Sequence, residues 1–254
     1  MRILLAEDNA VNQKLAMRLL EKMGHSVSVA ANGKEALHQF ASANFDLILM
    51  DIQMPEMGGL EATDAIRGSE QGTGKHLPIV AMTAHAMKGD REKCLAAGMD
   101  GYVSKPVRLD LLREEIARVC SLPGFSGTNS EATMESIQAK AGINRAELLA
   151  RVENDEALAR EILTIFQDEV AGNRNELQAA VEKKSPSETQ KAAHAFKGML
   201  ANLAAAHASS LAADLELLAS SGQCEAFEPA WRAFEAELRL VQSDAEQLLS
   251  GAAK

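Results

Sequence analysis

Cysteine and the large aromatic residues are scarce in this chain of 254 residues, which has three Cys, one Trp and one Tyr. The cysteines Cys94, Cys120 and Cys224 are odd in number, far apart and without metal-ligand spacing. They therefore predict neither a disulfide framework nor a thiolate metal site, and they are typical of reduced thiols in a cytosolic protein.

Long hydrophobic runs are also absent. No apolar stretch reaches the roughly 20 residues that a membrane helix needs, and the segment Met1–Asp8 turns acidic too early for a secretory signal. We therefore expect a cytoplasmic protein without membrane insertion. Because 46% of the residues are hydrophobic and 24% are charged, the chain can still bury a core. Its length suggests one large domain or two ordinary ones.

Basic residues are fewer than acidic residues, mostly in the second half of the chain. Residues 1–120 hold 14 Lys and Arg against 16 Asp and Glu, whereas residues 121–254 hold 12 against 20. An acidic half repels nucleic acid and offers no counterion release to drive binding. Since neither half has a basic patch with interleaved aromatics, we expect no nucleic-acid partner.

Through about residue 120, short β-rich runs alternate with amphipathic stretches. Five repeats of strand then helix predict an α/β fold with a doubly wound, five-stranded parallel sheet covered on both faces. The middle run, Leu47–Met50, is apolar without alternation, as a strand buried on both faces should be. The predicted strands are Arg2–Ala6, Ser26–Ala30, Asp46–Asp51, Pro78–Thr83 and Gly101–Ser104, with helices near 10–23, 34–43, 58–67, 88–97 and 108–120.

Helical patterns alone follow a Pro- and Gly-containing linker over residues 121–134. One predicted helix begins after Asn154, and Ser185-Pro186-Ser187-Glu188 predicts the next start as a capping box with Pro at the first position. Further helices cover about 206–220 and 226–249. We therefore expect three segments: an α/β domain over 1–120, the linker, and an all-α bundle of four or five helices over 135–254.

Polar side chains follow four of the predicted strands, where an open parallel sheet binds its ligands. Three carboxylates at one edge would repel one another unless a cation joined them, and hard oxygen ligands suit Mg²⁺. Asp51 would be a nucleophile that forms an aspartyl phosphate, with Lys105 and the Thr83 hydroxyl contacting phosphoryl oxygens. Taken singly, each could be a capping or surface residue. Packing of a hydrophobic core does not by itself bring five polar side chains to one place, so their convergence favours a binding site. The five are Glu7, Asp8, Asp51, Thr83 and Lys105.

These motifs resemble the response-regulator receiver domain over about residues 1–120. The resemblance implies a flavodoxin-like fold in which Asp8, Asp51 and the Gln53 carbonyl ligate Mg²⁺, with Glu7 acting through water. It also implies that Tyr102 is a switch aromatic that turns inward when Thr83 moves toward the phosphate. The matching segments are Glu7-Asp8, Met50-Asp51-Ile52-Gln53-Met54-Pro55, Thr83-Ala84 and Lys105-Pro106.

His194 lies off the apolar stripe of the helix predicted to begin after Ser185. We expect its imidazole to point away from the core, within reach of a partner's phosphoryl group. Lys197, nearly one turn on, can hold phosphate oxygens. A Gly at position 198 destabilises a helix by about 1 kcal/mol relative to Ala. Its presence would be explained if the missing side chain leaves room for another domain to approach His194. A lone histidine is more often a solvent-facing residue without chemistry, and the neighbouring Lys and Gly favour the functional interpretation.

The segment His194-Ala195-Phe196-Lys197-Gly198, followed by Asn202-Leu203, resembles the histidine phosphotransfer (HPt) domain. The likeness extends over about residues 145–250, and it departs from the family at Ala204, where Gly is usual. A receiver followed by an HPt domain is similar to the C-terminal part of hybrid sensor histidine kinases.

Together these features predict a two-component phosphorelay protein. Asp51 would accept a phosphoryl group from a sensor histidine kinase with Mg²⁺ and lose it slowly by itself, and His194 would exchange phosphate with a receiver aspartate, here or in a downstream response regulator. Without nucleotide-binding glycine boxes, we expect no ATP-dependent kinase domain. One alternative is a phosphorylation-regulated binding module in which His194 is inert. A metal-dependent phosphatase or hydrolase is another, but it leaves His194, Lys197 and Gly198 unexplained.

Overall fold

The computed structural model describes residues 1–83, 88–120 and 141–251, with residues 88–90 described by their backbone alone. The chain divides into two compact units that part within residues 121–140. The predicted linker over 121–134 and the predicted domain start at residue 135 lie outside the described residues. The domain boundaries therefore stay predictions, and each unit is described by itself.

The first unit is built on a five-stranded, all-parallel sheet. Its strand order is β2-β1-β3-β4-β5, so the order reverses between β1 and β3. Every residue of β3 and β4 is buried, as the unalternating apolar sequence predicts. This arrangement confirms the predicted doubly wound fold. The strands are β1 (Arg2–Ala6), β2 (Ser26–Ala30), β3 (Leu47–Asp51), β4 (Ile79–Thr83) and β5 (Gly101–Ser104).

Five helices flank this sheet, each following one strand. Leu4 and Ile48 belong to a buried cluster that includes Ala36 and Ala62, so α2 and α3 cover the same face of the sheet. Asn9 and Asn32 cap α1 and α2 by accepting hydrogen bonds from backbone amides of the first turn. The helices are α1 (Ala10–Lys22), α2 (Gly33–Ser42), α3 (Gly59–Glu70), α4 (Lys88–Ala96) and α5 (Leu109–Val119).

A partly buried arginine, Arg67, joins the segments that lead into β4 and β5. The guanidinium of Arg67 donates to the carbonyls of Leu77 and Gly98 and to the carboxylates of Glu70 and Asp100, at 2.6 to 2.9 Å. Its side chain is 16% exposed. Since the guanidinium offers five N–H donors in a rigid fork, it can satisfy all four acceptors at once. Arg67 therefore fixes the two strands whose far ends carry Thr83 and Lys105.

The second unit is all helical over the described residues 141–251, in agreement with the predicted bundle. Phe196 and Phe234 are fully buried and meet edge to face, with ring centroids 5.0 Å apart. The seven-residue helix α6 was not predicted. The helices are α6 (Arg145–Arg151), α7 (Glu156–Glu182), α8 (Pro186–Asn202), α9 (Ala206–Ser220) and α10 (Phe227–Ser250), with a short 3-10 turn at Cys224–Ala226.

Both ends of α8 differ in detail from the sequence pattern. Ser185 is the N-cap as predicted, but its side chain makes no capping hydrogen bond, and Glu188 lies 3.5 Å from Lys183 instead. The predicted capping box is therefore wrong, although the helix start is right. At the other end Ala204 adopts φ +56°, the left-handed conformation that favours glycine. This conformation explains why a Gly is usual at that position.

Across the residues that the structure describes, no helix has both the length and the apolar composition needed to cross a membrane.

We predict that Arg67→Met destabilises the first unit by roughly 2 kcal/mol, because it leaves partly buried carboxylates and carbonyls without their donor, at a cost of about 1–3 kcal/mol. Hydrogen exchange at the β4 amides measures this loss locally. A local measurement is needed because a chain of two units does not have to unfold in one step. Arg18→Met is the matched control, since the Arg18–Glu21 pair is exposed and should contribute less than about 1 kcal/mol. Equal protection of β4 in the two variants would contradict the assigned role of Arg67.

Candidate functional site

Three carboxylates meet at the carboxyl edge of the sheet, where the strand order reverses. Glu7 and Asp8 follow β1, and Asp51 is the last residue of the neighbouring strand β3. One ligand oxygen from each lies within 4.8 Å of the other two. Ala6 pairs in register with Met50, so the parallel ladder itself places Glu7 beside Asp51.

Lys105 joins two of these acids from the end of β5. Its Nζ lies 2.6 Å from Glu7 Oε2 and 2.5 Å from Asp51 Oδ2, and the three side chains are at most 5% exposed. Burial alone would lower the pKa of Lys105, but the charges of Asp51 and Glu7 outweigh it and raise that pKa. Lys105 is therefore a permanent cation in this cluster.

The three carboxylates lie close together, and the Lys105 ammonium contacts two of them, Glu7 and Asp51. Burial, together with the neighbouring charges of Asp51 and Asp8, raises the pKa of Glu7 despite the opposing effect of Lys105. Clustered carboxylate oxygens are the donor set that a small, hard divalent cation prefers. The residues present therefore fit Mg²⁺.

The other predicted receiver residues lie on strands β4 and β5 or directly after strand β3. Thr83 is buried at the end of β4, and its carbonyl accepts a hydrogen bond from the Lys105 amide at 2.7 Å. The backbone amide of Gln53 donates to Asp51 Oδ1 at 3.2 Å. Tyr102, on β5, is partly buried against the core, with the guanidinium of Arg91 5.7 Å from its ring centroid. Ala84, the second residue of the Thr83-Ala84 motif, lies outside the described residues.

The sequence analysis missed Asn12, which orients the Glu7 carboxylate, and Gln13, which contacts only the Glu7 backbone. The side-chain amide of Asn12 donates to Glu7 Oε1 at 2.8 Å, and that of Gln13 donates to the Glu7 carbonyl at 2.6 Å. Both side chains come from the first turn of α1. A polar residue at a position that the helical pattern assigns to the buried face was the available signal, since Asn12 is 6% exposed.

In the helical unit, His194 and Lys197 share one carboxylate. Glu216, on α9, accepts from His194 Nδ1 at 2.8 Å through Oε1 and from Lys197 Nζ at 2.7 Å through Oε2. Burial would raise the pKa of Glu216, but the bonds and charges of His194 and Lys197 lower it to about 2. Glu216 is therefore ionised throughout the neutral range.

The prediction that the His194 imidazole points away from the core overestimates how far the side chain is exposed. The His194 side chain is only 14% exposed, and the Lys197 side chain only 9%. The helical wheel of α8 places His194 off the apolar stripe correctly, but it contains no information about α9, which packs beside α8 and carries Glu216. Glu216 itself was missed, although an acid between Leu215 and Leu217 in an Ala- and Leu-rich helix is a signal of a buried charge with a partner.

Comparison with protein families agrees with both resemblances. Residues 3–117 match the model of the response regulator receiver domain, and residues 161–250 match the model of the Hpt domain. The two matches lie in the two units that the structure separates.

Individual relatives match parts of this chain. Hybrid signal transduction histidine kinase I of Dictyostelium discoideum is 50% identical over 125 residues, which cover 47% of this chain and 7% of that protein. The histidine-protein kinase BarA of Shigella flexneri is 32% identical over 188 residues, covering 73% of this chain and 20% of that protein. The solved receiver domain of sensor histidine kinase PA1611 from Pseudomonas aeruginosa is 40% identical, with TM-score 0.43, covering 47% of this chain and 97% of that chain.

This chain therefore spans only a small part of the length of the kinases it matches. The family matches nevertheless cover most of the chain itself, one domain after the other. Residues 3–117 belong to the response regulator receiver family and residues 161–250 to the Hpt family, so the chain carries a receiver domain followed by an Hpt domain.

Proposed function

We propose that this chain relays a phosphoryl group through two acceptors, Asp51 in the receiver domain and His194 in the Hpt domain. One feature common to the two units carries the proposal: each acceptor side chain is held against a buried partner of opposite or complementary charge. Asp51 Oδ2 lies 2.5 Å from the Lys105 ammonium, and His194 Nδ1 lies 2.8 Å from the Glu216 carboxylate.

Asp51 is the acceptor in the first step. One of its carboxylate oxygens attacks the phosphorus of a phosphohistidine on a partner sensor kinase, so that an O–P bond forms as the N–P bond breaks and the imidazole keeps the electron pair. Lys105 neutralises charge on one phosphoryl oxygen, and the Thr83 hydroxyl donates to another. Because phosphoryl transfer depends mainly on positioning and charge neutralisation, these contacts account for the step.

Mg²⁺ would supply additional charge neutralisation at this site when bound. The clustering of three carboxylates at this edge supports its binding. By the family resemblance, Asp8, Asp51 and the Gln53 carbonyl would hold the ion directly, and Glu7 would do so through water. We also retain Tyr102 as the proposed aromatic that responds when Thr83 engages the phosphate.

His194 is the acceptor in the second step, through Nε2. A neutral imidazole that donates from Nδ1 to Glu216 has its lone pair on Nε2, the nitrogen that remains for the attack. Nε2 attacks the phosphorus of an aspartyl phosphate, the N–P bond forms, and the aspartate leaves as a carboxylate. Lys197 holds the second oxygen of Glu216 and so fixes the carboxylate against the ring. The receiver could be this one or a downstream response regulator.

The competing function is a phosphorylation-regulated binding module with an inert His194. It shares the Asp51 chemistry and differs only in the second unit. The contact between His194 and Glu216 favours the relay, because a carboxylate on Nδ1 leaves the imidazole lone pair on Nε2 for attack on phosphorus. A cytoplasmic location and the identity of the kinase and regulator partners stay predictions from the sequence.

We predict that a small acyl phosphate with Mg²⁺ labels the wild-type chain at Asp51, and that Asp51→Asn abolishes the labelling. Lys105→Met should slow it roughly 100-fold, the effect of removing one charge-stabilising donor. His194→Gln should leave Asp51 labelling intact but prevent onward transfer to a receiver. His38→Gln, at an exposed position of α2, is the control. Onward transfer by His194→Gln would eliminate the relay and leave the binding module.

We also predict a single imidazole tautomer at His194, with the proton on Nδ1, because Glu216 accepts from that nitrogen. Nitrogen-15 NMR of the imidazole distinguishes protonated from unprotonated nitrogens directly. Glu216→Ala should shift a large part of the proton to Nε2 and slow phosphorylation of His194, whereas Asp214→Ala, an exposed acid on the same helix, should change neither. An unaltered tautomer in Glu216→Ala would refute the role assigned to Glu216.

A further inference from the structure

Asn12 is a buried polar residue beside the receiver site that neither the sequence motifs nor the proposed transfer steps use. It is 6% exposed and lies in the first turn of α1, where its backbone amide donates to the capping side chain of Asn9 at 3.1 Å. Its own side chain is therefore not the cap. It points instead to the carboxylate of Glu7, with Nδ2 2.8 Å from Oε1.

The two oxygens of Glu7 are divided between different donors. Oε2 lies 2.6 Å from Lys105 Nζ, and Oε1 accepts from Asn12, with a longer contact of 3.4 Å from the Asn9 amide. A carboxylate with a fixed donor on each oxygen has one orientation in the site. The donor on Oε1 is neutral, so it orients Glu7 without cancelling the negative charge that attracts a cation.

We infer that Asn12 is a positioning residue for the divalent cation of the receiver domain, acting through the carboxylate of Glu7. This inference rests on the proposed function of the carboxylate cluster. Without the Asn12 amide, Glu7 has no strong donor on Oε1, and Lys105 can draw the whole carboxylate toward itself. Glu7 is then displaced from the place where it meets Asp8 and Asp51.

The expected effect is a loss of metal affinity and not of fold. Groups that orient metal ligands through hydrogen bonds typically change metal affinity 10- to 100-fold when removed. Because Glu7 is proposed to act through water, we expect the lower end of this range, an increase of about tenfold in the Mg²⁺ dissociation constant. The free energy of unfolding measured without Mg²⁺ should change by less than the free energy of Mg²⁺ binding does.

The test is an amide NMR titration of the full chain with MgCl₂, which needs no phosphodonor. Asn12→Leu removes the amide and keeps the shape of the side chain. Gln13→Leu is the matched control, because Gln13 comes from the same turn and bonds the backbone carbonyl of Glu7, not its carboxylate. If Asn12→Leu does not fold, Asn12→Ala removes the amide without adding apolar atoms.

About tenfold weaker Mg²⁺ binding in the Asn12 variant, with Gln13→Leu within twofold of wild type, supports the inference. Equal affinity in wild type and the Asn12 variant overturns it, and so does an equal loss in both variants, which would indicate general loosening of the segment. If the wild-type chain shows no Mg²⁺-dependent shifts at Asp8 and Asp51, the proposed function of the cluster fails first. The two failures are therefore distinguishable.

Discussion

The receiver half of this chain depends on one electrostatic constraint, the grouping of three carboxylates at the edge of a buried sheet, two of which share the Lys105 ammonium. Like charges this close in a medium of low polarity repel strongly, and the fold must offset that repulsion by other contacts. Lys105 does so between Glu7 and Asp51, and the parallel register of β1 and β3 fixes where the acids stand. The clustered carboxylate oxygens are a donor set that fits Mg²⁺.

The helical half uses the opposite arrangement. There one carboxylate, Glu216, lies between the Lys197 ammonium and the His194 imidazole, so the group carries no excess negative charge when the ring is neutral. In the proposed function, the oriented imidazole is the nucleophile, and the negatively charged acid cluster binds the cation and the phosphoryl donor. The two units then present chemically complementary acceptors on unrelated folds, since the sites and not the folds determine the chemistry.

The sequence predicts the first unit well because its signals are local. Strand and helix periods, and the rule that parallel strands end at one edge, are enough to bring Glu7, Asp51 and Lys105 together. It predicts the second unit less completely. Helix α6 is short, with too few apolar positions for a periodic signal, and the partial burial of His194 depends on Glu216 from another helix. Asn12 escaped notice because no motif includes it, and its side-chain contact with the Glu7 carboxylate is visible only in the folded chain.

The most direct test of the central claim is fluorine-19 NMR of the full chain with Mg²⁺ and fluoroberyllate, a non-reactive analogue of the phosphoryl group. The account predicts bound fluorine resonances that require both Mg²⁺ and the Asp51 carboxylate, and that disappear in Asp51→Asn. Bound resonances that persist without Mg²⁺, or in the Asp51 variant, would contradict the claim that the cation and this carboxylate together form the phosphoryl site.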